Sequence, residues 1–222
     1  MPQNARATDA LPLSLVDVAR DRVRDAILGG SLVPGEKIVE EQLCAELGIS
    51  RAPLREALKL LAQQGLVVQT PRRGTRVAEW SPTDIRQLFD LRCVLERHAI
   101  DIALPLGDVE KQVAPVRSAL DDMRSAPDDL QRDDAHRRFH AAVVGLANNR
   151  QLDLALEPIL LKLQLPMAVN LRTEARKLRR PADGIRRHEV IVEALLTNDP
   201  PTVLAALRDH GHLDHLDLNA SA

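Results

Sequence analysis

The chain has 222 residues, 45% of them hydrophobic and 28% charged, with a formal net charge of −2; that is enough to bury a sizeable core in one large domain or two smaller ones. It holds 36 leucines and 28 alanines but only two Phe, one Trp and no Tyr, so helix-favouring residues dominate while β-branched and aromatic types are scarce. This composition excludes a large β-sandwich or barrel, and it excludes single-stranded nucleic-acid binding on an aromatic platform.

Residues 1–14 lack the continuous apolar core of a signal peptide and read as a flexible tail. A helix is expected over 15–28, where Leu15, Val16, Val18, Ala19, Val23, Ala26 and Ile27 follow helical spacing and Gly29-Gly30 ends it. After a Pro34-Gly35 turn comes a short helix over 39–47, closed by Gly48. A third helix over 51–64 has Ser50 as its N-cap, Pro53 in its first turn and Gly65 at its end. Two β-prone runs then flank Pro71-Arg72-Arg73-Gly74, which predicts a hairpin.

Helix, short helix, turn, helix and hairpin, in that order, describe a winged helix-turn-helix, whose helix after the turn enters the major groove while the wing reaches the backbone or minor groove. Residues 50–77 carry six cationic side chains against one acid, Glu56, a local charge of +5 on a nearly neutral chain; such a patch suits double-stranded DNA. Arg51 and Arg55 share a face at the N-terminal end of the third helix, where guanidinium forks grip guanine edges or phosphates. Arg72, Arg73 and Gly74 form the wing tip, where the glycine permits close backbone approach. The plainer alternative for these arginines is a solvated, salt-bridged helix face.

The run PGEKIVEEQLCAELGISRAPLREALKLLAQQGLV at 34–67 and the RRGTRV wing at 72–77 resemble the GntR family of bacterial transcription regulators. The resemblance implies that Ser50, Arg51 and Arg55 contact DNA from the recognition helix, with Gly74 at the wing tip. Two positions depart from the family pattern: Glu41 stands where an arginine that reaches DNA is common, and Ala52 where a threonine is common. The departure at 41 bears on operator sequence.

A linker at 80–83 separates the 15–79 module from a second domain expected over 84–217. Ser81-Pro82 opens a helix to about residue 104, with Asp84 in its first turn, followed by helices over 108–124, 128–147, 150–177, 182–197 and 200–217. Pro158 and Pro166 are expected to kink or divide the fourth of these six. The fold class is thus mainly α, a winged helix-turn-helix plus an antiparallel helical bundle with room for an internal pocket.

All seven histidines follow residue 97. His136 and His140, four apart, project from one helical face. His188 and His210 lie equally far before and after Asp199 in the turn between the last two helices, so in an antiparallel pair they sit side by side. Four imidazoles from three helices converge on one cation in this reading, whereas any one alone would read as an ordinary core or surface histidine. His212 and His215 are rotated away from His210 and point elsewhere, His98 has no matching partner, and all three read as structural or surface residues.

The stretches LFDLRCVLERHAI (88–100), HRRFHAAVVGLANNRQL (136–152) and RHEVIVEALLTNDPPTVLAALRDH (187–210) resemble the ligand-binding domain of the FadR branch of that family, in its six-helix form. The resemblance implies a divalent ion held by three histidines, here His140, His188 and His210, and one aspartate, whose position is His136 in this chain. Imidazole in place of carboxylate should favour Zn²⁺, Ni²⁺ or Co²⁺, and also Cu²⁺, over Mn²⁺ or Mg²⁺. Asp133, one turn before His136, is placed to orient an imidazole. Arg92 is a candidate to bind the carboxylate of a small organic acid at the metal; its alternative is an intrahelical pair with Glu96.

The reading is a cytoplasmic regulator, a repressor rather than an enzyme, that acts as a homodimer on a pseudo-palindromic operator and responds to a metal-anchored acid. A dedicated metal sensor is the alternative. A metal-dependent enzyme lacks support, since there is no H-E-x-x-H, no helical E-x-x-H pair and no Gly-rich phosphate loop. Cys44 and Cys93 form no CxxC, consistent with a reducing compartment, and no membrane span is expected.

Overall fold

The computed structural model describes residues 14–178 and 182–210. The expected tail up to residue 13 and the end of the last helix, with His212 and His215, lie outside the described residues. Ser14, assigned to the tail above, instead caps α1 (Leu15–Gly29): its hydroxyl accepts from the Asp17 amide, and Gly30 closes the helix at φ 82°.

The N-terminal unit continues with β1 (Lys37–Ile38), α2 (Glu40–Leu47), α3 (Arg51–Gln64), β2 (Val67–Thr70) and β3 (Gly74–Val77). The hairpin of β2 and β3 pairs Val67 with Val77 and Thr70 with Gly74. β1 adds an outer antiparallel strand, Lys37 opposite Arg76, giving the order β1-β3-β2. Two residues are too few to show alternation, so β1 leaves no periodic signal in the sequence. One apolar face of α1 (Ala19, Val23, Ile27) packs with Leu54, Leu58 and Leu61 of α3 and with Val67 and Val77 of the sheet.

The second unit comprises α4 (Pro82–Ala103), α5 (Val109–Ser125), α6 (Asp129–Gly145), α7 (Arg150–Leu178), α8 (Ala182–Thr197) and α9 (Pro200–His210). Ser81 and Asp84 cap α4 reciprocally, which fixes the start of the helix that later presents Arg92 and Glu96. α5 packs on α6 and α8, α4 on α6, α7 and α9, and α8 on α9; short connections make sequence neighbours antiparallel. Val113, Val116, Phe139, Val143, Ile191, Leu195 and Val203 form the main core. The expected division of the fourth bundle helix does not occur: α7 runs unbroken through Pro158 and Pro166. Pro158 deprives the residue 154 carbonyl of its helical donor, and Leu154 stands on an exposed part of the helix, where water can satisfy that carbonyl. Among the described residues no helix is long and apolar enough to cross a membrane.

Candidate nucleic-acid interface and metal centre

Ser50 occupies the N-cap position of α3 in extended conformation, but its side chain makes no capping bond. Both recognition-helix arginines are solvent-facing and leaned on by the acidic start of α2. Arg55 Nε donates to Glu40 Oε2 at 2.8 Å, and Arg51 approaches Glu41 at 3.8 Å. These are the exposed ion pairs of the plainer alternative, and such pairs hold side chains only weakly. Arg72 and Gly74 take positive φ, 64° and 86°, at the hairpin tip, and this leaves Arg72 and Arg73 exposed. Lys37, which the sequence did not single out, lies beside that tip: a Cβ on Gly74 would be 3.7 Å from its Cε. Its signal, a cation on a two-residue strand, is visible only once β1 is paired.

The four histidines do come together. Ligand-capable atoms of His136, His140, His188 and His210 all lie within 4.8 Å of one another. His136 Nε2 and His140 Nε2 are 3.2 Å apart, which matches the about 3.0–3.4 Å edge between two nitrogens bonded to one ion at about 2.1 Å. His188 and His210, brought level by the α8–α9 turn, have ring centroids 4.5 Å apart. His188 Nδ1 donates to the Gly184 carbonyl at 2.7 Å, which leaves Nε2 as the acceptor nitrogen, buried and without a hydrogen-bond partner among the described residues. Such a backbone contact fixes the tautomer a metal ligand needs.

Burial holds all four imidazoles in the neutral, lone-pair form. It pushes His188 down to about 4, opposed by the Gly184 carbonyl. Burial also lowers His136, His140 and His210 well below the ordinary histidine value, helped by neighbouring imidazoles and the Arg92 cation. Neutral imidazole is the metal-binding state, so the donor set fits a divalent transition metal. Phe139, buried in the core, meets His188 edge-on at 4.9 Å and is packing rather than a binding surface.

Arg92 is 1% exposed and forms the i,i+4 pair with Glu96, Nε to Oε1 3.3 Å. Its guanidinium also lies 4.1 Å from the Phe89 ring centroid. Neither its Nε nor its Nη2 has a hydrogen bond among the described residues. Arg92, Asp133, His136, Arg137, Leu160, Leu163 and Gln164 line a small cavity of about 10 Å³, room for about one water. Burial pushes the Glu96 carboxyl up, and Arg92 opposes the shift. Glu96 also reaches His140, Oε1 to Nδ1 2.7 Å. Sequence spacing could find the Arg92 contact but not this one, because His140 belongs to a different helix. His98 is exposed, away from the cluster.

The two units touch near this centre. Arg24 of α1 is ion-paired with Asp134 of α6, and Gln164 of α7 donates to the same carboxylate at 2.8 Å. Two residues before Gln164, Lys162 lies so close over Gly65, the C-cap of α3, that a Cβ there would come within 2.9 Å of its Cγ.

Residues 15–77 match the family described as bacterial regulatory proteins, gntR family, and residues 87–213 match the FCD domain. An HTH-type transcriptional regulator of Bacillus subtilis is 28% identical over 145 residues, and the match spans only 63% of each chain. The gluconate operon transcriptional repressor of Bacillus licheniformis is 26% identical over 197 residues, covering 85% of this chain and 78% of the relative. A regulator structure from Rhodococcus sp. RHA1 superimposes with a TM-score of 0.76 at 24% identity, covering 95% of this chain and all of that one. These curated relatives are transcription regulators, not enzymes. The chain belongs to the GntR family of bacterial DNA-binding transcription regulators, with a winged helix-turn-helix followed by a helical FCD domain.

Proposed function

We propose that the chain is a homodimeric repressor whose four-histidine centre holds Zn²⁺, Ni²⁺ or Co²⁺, and whose operator affinity is set by a small organic acid captured between that ion and Arg92. The observation that carries this reading is the convergence of four neutral imidazoles within 4.8 Å beside a buried guanidinium whose Nε and Nη2 lack hydrogen bonds among the described residues. When bound, the ion supplies a positive charge and open positions for carboxylate oxygen. Four neutral ligands leave a dication's full charge uncompensated, which favours an anion, and nitrogen donors favour late transition metals over Mn²⁺ or Mg²⁺.

On the DNA side, Ser50, Arg51 and Arg55 read the major groove while Arg72, Arg73 and Gly74 hold the backbone or minor groove. A single module reads too few bases, so two copies bind two half-sites. The exposed apolar side chains Leu91, Val94 and Ile102 on α4 give a second copy a surface to cover.

The cavity at Arg92 is too small for an acid as it stands. Admission displaces the α7 turn that carries Leu160, Leu163 and Gln164, and this same turn bears on Gly65 of α3 and, through Asp134, on Arg24 of α1. Ligand binding therefore differs in free energy between arrangements of the DNA-reading module, which is the requirement for regulation. The direct test is anomalous diffraction from crystals of protein purified without chelator. One transition-metal peak about 2.0–2.1 Å from nitrogens of the four histidines is expected; an ordered, metal-supplemented crystal with no peak there contradicts the reading.

A further inference from the structure

Glu96 is a buried carboxylate, 1% exposed, with one oxygen near two cationic or proton-bearing partners that belong to different parts of the centre. Oε1 lies 2.7 Å from His140 Nδ1 and 3.3 Å from Arg92 Nε. Both approaches are within ion-pair range, although neither is aligned as a hydrogen bond. The His140 ring is already committed in direction, because its Nε2 faces His136 Nε2 at 3.2 Å and Nδ1 faces away, toward α4. A lone pair on Nε2 puts the proton on Nδ1, and that proton needs an acceptor. His188 finds one in the Gly184 backbone carbonyl; for His140 the nearby acceptor is Glu96.

Resting on the metal-and-acid reading above, we propose that Glu96 is a bridging positioning residue: its single carboxylate oxygen orients His140 for the metal and holds Arg92 for the anion, so both affinities depend on it. Two consequences follow from the chemistry. The Arg92–Glu96 pair is internally neutral, so it leaves the charge of the ion to attract the acid. The carboxylate also increases the basicity of His140 as a ligand, an effect whose removal typically weakens metal binding by about 10–100-fold.

The test is a Co²⁺ titration of the full chain, read by visible absorption and by competition with a chromophoric chelator. Glu96→Gln keeps the shape but removes the charge. The expected result is a 10- to 100-fold weaker Co²⁺ affinity together with an altered absorption envelope. A folded variant with wild-type affinity and an unchanged spectrum overturns the proposal. A purely structural role would lower thermal stability while leaving the Co²⁺ spectrum of the folded protein unchanged, and that outcome overturns it too. Because Gln at 96 leaves a buried guanidinium without a counter-charge, the double variant Arg92→Leu/Glu96→Leu, which removes both charges, gives a second reading. It should show the same loss of Co²⁺ affinity, and full affinity there is equally contradictory. If the wild type itself takes up no Co²⁺, the metal reading fails first and this assignment falls with it.

Discussion

Zn²⁺, Ni²⁺ or Co²⁺ at about 100 times its dissociation constant is expected to stabilise the protein by about 2.7 kcal/mol, which for a domain set of this size raises the melting temperature by roughly 5–10 °C. His140→Ala should abolish that increment. The ring of His140 lies 4.6 Å from His136, 5.4 Å from His188 and 5.2 Å from His210, centroid to centroid, so like His188 it faces all three other imidazoles. The substitution also opens space in a fully buried position and will lower the melting temperature of the metal-free protein. The informative quantity is therefore the metal-induced difference, measured by thermal unfolding with and without metal. An undiminished increment in His140→Ala would mean that the stabilising ion binds elsewhere.

The second large effect lies at the other end of the molecule. Arg51→Ala and Arg55→Ala are each expected to weaken binding to a specific operator by roughly 10- to 100-fold, the range lost when a guanidinium–base contact goes. Thermal stability should scarcely change, because both side chains are more than half exposed and their partners Glu41 and Glu40 are surface residues. Fluorescence anisotropy with a labelled operator selected from random sequence gives the affinity, and its salt dependence separates phosphate from base contacts. Wild-type affinity in both variants would remove the recognition-helix assignment. If Arg51 and Arg55 contact DNA as proposed, Glu40 and Glu41 must give up their ion pairs with them, so association would begin with an exchange of ion pairs.

Much of this architecture was legible in the sequence, for reasons that differ by element. Helices with strong boundary chemistry were placed within a residue or two, as with Gly30 and Gly48 closing α1 and α2 or Ser81 opening α4. The histidine cluster was legible because two simple regularities combine in it. His136 and His140 share a face by spacing, and His188 and His210 are levelled by a tight turn, which the 4.5 Å ring separation bears out. β1 was not legible, since its two residues form a strand only through pairing with β3. Nor were the contacts of Glu96 with His140 and of Arg24 with Asp134, which join residues 44 and 110 positions apart and obey no local periodicity. α7 ran on through two prolines, where local propensity yielded to the packing of a long helix against α4 and α6.

At the centre of the proposed function, the histidine centre and the recognition helix act as a single responsive unit. Operator affinity measured with metal alone, with small carboxylic acids alone and with both tests it most directly. The predicted result is a change of about 5- to 150-fold only when metal and a suitable acid are both present, reduced in Arg24→Ala and absent in His140→Ala. A change produced by metal alone, with no further response to any acid, would make the protein a metal sensor. Operator affinity that stays constant while the centre is shown to be loaded with metal and acid would contradict the claim.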